Sequence, residues 1–235
     1  MLDALLIDLD GTLLGLDVGA FLPRYFQSIV EFVAPALPGF PLSQRLLVTV
    51  QEMLRPRGER VTHAELFGRL FFEGVPGADE STLRAAFDRY YEEVFPTLRT
   101  HTTVFPEAPS VVSEGRAHAR RLVLATNPLF PRQATLQRVR WAGLEPEAFD
   151  LITTYEDAYY AKPDPLYYSD ILERVGAGPE HSWMAGNDLL EDGSAKEAGL
   201  SFFFVDGPYA LRRAPSPRPD RVGTLGDLRA FIGNL

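Results

Sequence analysis

The sequence predicts a doubly wound α/β fold, a mainly parallel five-stranded sheet interrupted after its first strand by an inserted all-helical cap. Three observations carry this. Five short β-rich runs, Ala4–Leu9, Leu122–Thr126, Phe149–Thr153, Ser182–Ala185 and Ser201–Val205, are close to continuous in apolar residues. That is the pattern of parallel strands covered on both faces. Amphipathic stretches such as Pro131–Ala142, Leu166–Val175 and Leu190–Ala198 alternate with these runs, as βαβ units require. Between the first and second runs, by contrast, strand-like segments are missing and the helical spacing of Leu83, Phe87, Tyr90, Tyr91 and Val94 takes over.

Taken in order, the first run is broken by Asp8 and Asp10, followed at once by Gly11 and Thr12. Residues 16–100 form the predicted cap, punctuated at Pro35–Pro41, Pro56–Gly58 and Gly74–Gly77, with aromatic residues Phe67, Phe71, Phe72, Phe87, Tyr90 and Tyr91 as its core. Its ends, near Gly15 and Pro96–His101, lie where the chain leaves and rejoins the sheet, a geometry suited to a hinged lid. Residues 1–15 and 101–235 make up the catalytic core. Within it Arg120 and Arg121 read as the solvated end of a helix, Arg212–Arg221 as a surface loop and Leu225–Ile232 as a closing helix.

Composition narrows the function. The 235 residues can bury a sizeable core, and no apolar run reaches the roughly 20 residues of a membrane span. No basic segment precedes the first apolar stretch, so no signal peptide is read and a cytoplasmic protein is the expectation. The absence of cysteine excludes disulfides, thiol catalysis and thiolate metal sites. A net charge of −9 argues against general nucleic-acid binding. An anionic ligand must then be held by local devices: a metal, a few cations, loop amides. Lysine occurs only twice, at Lys162 and Lys196, against 21 arginines. A lysine kept in such a chain is informative, because its compact ammonium is not replaceable by a planar guanidinium.

In an open parallel sheet, ligands bind beyond the carboxyl ends of the strands. Asp8 and Asp10 stand there after the first run, Thr126 and Asn127 after the second, Lys162 after the third, and Asp188 and Asp192 after the fourth. Carboxylates gathered at one point need a cation, and an all-oxygen ligand set favours magnesium. Thr126, Asn127 and Lys162 offer a hydroxyl, an amide and an ammonium to phosphate oxygens, and the backbone amides of the Gly11–Thr12 turn could face the same anion. An aspartate beside a metal-bound phosphate can serve as nucleophile.

The four segments DLDGTL (8–13), TN (126–127), KP (162–163) and GNDLLED (186–192) resemble, in order and over nearly the whole chain, the motifs of the haloacid dehalogenase-like hydrolase superfamily. The likeness is to the branch with a helical cap after the first strand of its Rossmann-like core. The resemblance implies a magnesium-dependent phosphatase in which Asp8 attacks phosphorus and Asp10 acts as general acid and base, its carbonyl touching the metal. It further implies that Thr126 and Lys162 hold phosphoryl oxygens, that Asn127 orients the substrate, and that Asp8 and Asp188 ligate magnesium. Asp192 is then an outer ligand or a partner of Lys162.

One departure stands out: many relatives have Asp where this chain has Asn187. Either Asn187 takes the usual ligand position and the metal loses a charge, or the motif begins at Asp188. The four-residue Asp188–Asp192 spacing favours the second. The expected substrate is a small phosphorylated metabolite, and the expected state a monomer or homodimer. Asp10 argues against dehalogenation, which needs neither a metal nor that acid. A sugar phosphomutase and a catalytically silent binding protein are the alternatives. His63, His101, His118 and His181 share no metal-ligand spacing, and Glu156, Asp157 and Asp164 read as solvated or turn residues.

Overall fold

The computed structural model describes residues 1–55, 58–73, 75, 80–213 and 215–235. The punctuation expected at Pro56, Gly74 and Gly77 therefore lies outside the described residues. In chain order the elements are β1 (Leu2–Ile7), β2 (Leu14–Gly15), α1 (Val18–Val33), α2 (Leu42–Met53), α3 (His63–Phe67), α4 (Glu80–Glu93), β3 (Thr103–Val104), α5 (Ala108–His118), β4 (Ala119–Leu124), α6 (Arg132–Trp141), β5 (Leu151–Ile152), α7 (Pro165–Val175), β6 (Ser182–Gly186), β7 (Ser201–Val205), β8 (Arg221–Gly223) and α8 (Leu225–Gly233).

The main sheet has six strands rather than five, in the order β5-β4-β1-β6-β7-β8, all paired in parallel. The added strand, β8, is a three-residue edge with Arg221 and Val222 exposed. It carries no apolar run, which is why periodicity does not reveal it. Arg120 and Arg121 are a second correction, since they lie in β4, not at a helix end. They are the exposed start of a strand whose last three residues are buried, so their charge marks a solvated strand entrance.

Residues alternate across the central strands as a two-residue period demands. Leu5 and Ile7 of β1, with Phe203 and Val205 of β7, pack toward α5 and α8, where Val111, Val112, Leu228 and Ile232 are buried. Ala4 and Leu6, with Phe202 and Phe204, face Tyr167, Tyr168, Ile171 and Leu172 of α7. Burying both faces stabilises each such side chain by about 1.5–3 kcal/mol and leaves only the strand ends open to solvent. Asp164 caps α7 by accepting from Leu166 N at 2.9 Å, and Gly176 closes it in the left-handed conformation at φ 66°.

The chain leaves the sheet at β2 and returns at β3, and these two short strands pair antiparallel, Leu14 with Val104 and Gly15 with Thr103. The long helices between them are apolar on one face. On α1 that face is Phe21, Tyr25, Ile29 and Val33; on α4 it is Leu83, Phe87, Tyr90 and Tyr91. This apolar interior runs without a break into the α5 side of the sheet. Phe71, Phe87, Tyr90 and Tyr91 are buried, while Phe67 and Phe72 are half-buried.

Candidate active site

The site is built on the central strand. β1 is flanked by β4 and β6, with Ile7 opposite Leu124 on one side and Ala185 on the other. The Asp8 amide donates to Ala185 O at 2.9 Å, so Asp8 leaves the sheet where both neighbours also end. The chain then turns tightly. Gly11 N donates to Leu14 O at 2.7 Å and Thr12 N to Leu9 O at 3.2 Å. Both amides are therefore spent inside the turn, which corrects the expectation that they face an anion. Gly11 is needed for another reason: its φ is 88°, and a Cβ there would collide with the Asn187 side chain. The Thr12 side chain does enter the site, its hydroxyl 3.1 Å from both Asp8 Oδ2 and Asn187 Oδ1.

Lys162 is the positive centre. Only 1% of its side chain is exposed, and its ammonium donates to Asp8 Oδ1 at 2.8 Å and to Asp192 Oδ1 at 2.6 Å. Burial alone lowers its pKa, but the carboxylates of Asp192 and Asp8 together hold it well above the usual lysine value. Asp192 also accepts from the Asp188 amide at 2.9 Å. Gly186 makes room for this, since a Cβ there would run into the Asp192 carboxylate.

Asp10 pairs with Arg138 of α6, a guanidinium 1% exposed. Burial raises the pKa of Asp10; Arg138 opposes the shift, the neighbouring Asp8 adds to it, and the net effect is upward. Its other oxygen, Oδ1, is buried without a hydrogen-bond partner. Thr126 is buried, and its carbonyl accepts from the hydroxyls of Thr153 at 2.7 Å and Tyr167 at 2.9 Å, which anchors the loop after β4. Asn127 donates to Glu191 Oε2 at 3.2 Å, leaving its own Oδ1 buried and unpartnered.

Asn187 and Asp188 separate clearly. Asn187 accepts through Oδ1 from the Thr12 hydroxyl, which also reaches Asp8, and donates through Nδ2 to Tyr209 O at 2.6 Å. Asp188 turns away: Oδ2 pairs with Arg213, and Oδ1 accepts from the amides of Leu190 at 2.8 Å and Glu191 at 3.1 Å. This differs from the expectation that Asp188 stands beside Asp8 as a metal ligand. Among the described residues no group of three or more histidine or acidic side chains converges on a metal position.

The structure thus joins Asp8, Thr12, Lys162, Asp192 and Asn187 in one hydrogen-bonded cluster, with Asp10, Thr126 and Asn127 at the same sheet edge. Three partners carry no role in the motif reading: Arg138, Arg213 and Glu191, the last inside GNDLLED itself. For Arg138 a signal exists in the sequence. It shares the face of α6 that buries Ala134, Thr135 and Trp141, and a charge on an apolar helix face requires a partner.

The haloacid dehalogenase-like hydrolase family matches residues 2–199, and the chain belongs to it. The chain is accordingly a hydrolase. It is 30% identical over 207 residues to a phosphoglycolate phosphatase of Nitrosospira multiformis, covering 88% of this chain and 83% of that one. It is 31% identical over 163 residues to a phosphoserine phosphatase of Thermus thermophilus, covering 68% of this chain and 62% of the relative. In fold it is similar to a 2-haloacid dehalogenase of Pseudomonas syringae, with a TM-score of 0.67, 22% identity, and coverage of 100% of this chain and 99% of that one.

Proposed function

We propose that the chain hydrolyses a phosphate monoester of a small metabolite, with Asp8 as nucleophile and Asp10 as general acid and base. The observation that carries this reading is the pairing of Asp8 Oδ1 with Lys162 at 2.8 Å beside Asp10, whose affinity for a proton is raised by burial. Lys162 orients Asp8 through its hydrogen bond to Oδ1. It also supplies positive charge where phosphoryl oxygens gather in the transition state. Asp10 suits delivery of a proton to the leaving oxygen, then its withdrawal from water attacking the aspartyl phosphate. Arg138 fixes the direction of that carboxyl.

Magnesium fits the donor set. The buried carboxylates Asp8, Asp188 and Asp192 outnumber the buried cations Lys162 and Arg138, and such an excess favours a bound cation. Asp8 and Asn187 would hold it through oxygen, with the Asp10 carbonyl, while Asp188 acts one step removed by bracing the loop with Arg213. When bound, magnesium supplies neutralisation of phosphoryl charge. Asp10 distinguishes the reading from dehalogenation, and nothing described in the cap singles out a sugar for the mutase alternative.

The test is turnover across a panel of phosphate monoesters with and without magnesium, Asp8→Asn serving as control. Release of phosphate that needs magnesium and falls on the order of 10⁴-fold in Asp8→Asn is expected. Hydrolysis that survives complete chelation, or an Asp8→Asn chain that still turns over, overturns the assignment.

A further inference from the structure

A cavity of about 320 Å³ lies between the cap helices and the loops that follow β4 and β5. It is lined by aromatic and aliphatic side chains, among them Tyr25, Phe67, Phe72, Phe87 and Phe130. Its size falls at the low end of small-molecule sites, and its lining is that of a pocket for an apolar group. Several polar groups on the wall are already engaged, and Asp88, Gln133 and Tyr155 also line it. The hydroxyls of Tyr25 and Tyr91 bond each other at 2.6 Å, and Arg84 pairs with Glu80 at 2.7 Å while lying 4.3 Å over the Phe72 ring. Glu156 accepts from the Arg132 amide at 2.8 Å. A phosphate or carboxylate seated deep in this space would lose water and meet as lining cation only Arg84, which already pairs with Glu80, with the Asp88 carboxylate on the same wall opposing it. An aromatic ring would lose nothing and find edges and faces to pack on.

The cavity also adjoins the catalytic cluster. Phe130 forms part of its wall, and the Arg138 guanidinium sits 4.1 Å over the same ring while pairing with Asp10. The loop that carries Leu129 and Phe130 begins at Asn127, at the sheet edge. Leu54, 41% exposed, stands at the rim, so the space can be reached from solvent.

We infer that this cavity receives the leaving group of the substrate, and that this leaving group is apolar and ring-bearing. The inference rests on the phosphatase reading above and deepens it. It assigns the chain a substrate class unlike the small, highly polar esters named for its relatives. The phosphoryl group meets Asp8 and Lys162; the organic part lies against Phe130 and the rings of the cap.

The experiment compares 1-naphthyl phosphate with glycerol phosphate as substrates, and measures calorimetric binding of 1-naphthol to the intact chain. Val50→Trp, a half-buried lining position on α2, fills the cavity, and Val50→Phe with a thermal melt guards against a chain that simply unfolds. Burial of one ring predicts a kcat/KM about tenfold or more higher for the naphthyl ester. Naphthol should bind and compete with that ester. The Val50 variants should lose the naphthyl preference, kcat/KM for the naphthyl ester falling about tenfold more than that for glycerol phosphate. Equal kcat/KM for the two esters with no naphthol binding overturns the assignment, as does naphthol binding that fails to compete. Naphthol binding that Val50→Trp blocks, in a chain that hydrolyses no ester at all, supports the cavity's chemistry and overturns the reaction proposed above instead.

Discussion

At the sheet edge and inside the cap, polar atoms are buried by different means. Lys162, Asp8 and Asp192 meet at 2.6–2.8 Å, ions out of water, each tolerable only because the others are there. In the cap the rings Tyr25 and Tyr90 bury neutral hydroxyls that pair with other hydroxyls, Tyr25 with Tyr91 at 2.6 Å and Tyr90 with Ser28 at 2.7 Å. Burying a charge costs far more than burying a hydroxyl, so the edge is held by mutual necessity and the cap by packing. The difference teaches where each function resides. A charged cluster of fixed partners suits the one chemistry proposed for it, whereas a ring-lined interior suits selection by shape and polarity.

The strongest way to break this comparison is to remove one ion. Lys162→Met leaves Asp8 and Asp192 buried and facing each other, and should cost about 3–5 kcal/mol in the presence of chelator. The equivalent deletion in the cap, Tyr91→Phe, should cost about 1 kcal/mol. Urea melts of the two variants check the ratio, and equal costs would erase the distinction. Adding Asp192→Asn to Lys162→Met should return part of the loss, because one of the stranded charges is then gone.

A second change separates positioning from stability at the edge itself. Arg138→Met removes the partner of Asp10. For esters with poor leaving groups, which need a proton delivered, kcat should fall about 10²-fold, the lower end of general-acid effects. For an aryl ester whose aryloxide leaves unaided, the fall should be only a few-fold. A uniform loss across leaving groups would mean that Arg138 merely holds the fold.

Lys162 and Arg138 also show how far the amino-acid sequence makes the site legible. Lys162 stands out by sequence alone because it is one of two lysines and follows a strand-like run. Asp8, Asp10, Thr126 and Asp192 are legible likewise, each at the end of an apolar segment. Arg138 is one arginine among 21. Its burial depends on how α6 rolls against the turn after β1, a tertiary fact with no local mark beyond the helix face it shares with Ala134. Asn187 against Asp188 is harder still. Adjacent residues in a loop take different partners, Asn187 the Thr12 hydroxyl 175 positions away in the chain and Asp188 the side chain of Arg213. The strand β8 is hidden for the opposite reason, being too short and too exposed to carry a period.

Alkaline titration sharpens the picture of the cap. Burial pushes the pKa of Tyr90 and of Tyr155 up to about 12, and those of Tyr25 and Tyr91 are raised by burial as well. In the unfolded chain a tyrosine loses its proton near pH 10, roughly. The folded chain therefore holds these protons more tightly than the unfolded one, so their contribution is fully present below about pH 10 and is lost as pH rises through the folded values. Melts between about pH 9 and 12 should show stability declining, and the decline should be shallower in Tyr25→Phe/Tyr91→Phe. An unchanged slope would place these hydroxyls in contact with water.

The smallest effect decides whether the cap and the sheet fold as one unit. Each has a reciprocal helix cap of the same design. Thr62 accepts from Glu65 N at 3.1 Å and donates its own amide to the Glu65 carboxylate at 2.9 Å. Thr224 and Asp227 repeat the arrangement at 3.2 and 2.9 Å ahead of α8. Losing either by Thr→Ala should cost about 1 kcal/mol, or roughly 2–4 °C in a chain of this length. Because one apolar cluster joins α1 and α4 to the α5 side of the sheet, Thr62→Ala and Thr224→Ala should lower a single melting transition by the same amount. If Thr62→Ala instead shifts an early transition and leaves a later one in place, the cap opens on its own. The ring-lined cavity would then belong to a lid that melts away from the ionic edge, and the shared interior would not bind the two halves into one cooperative fold.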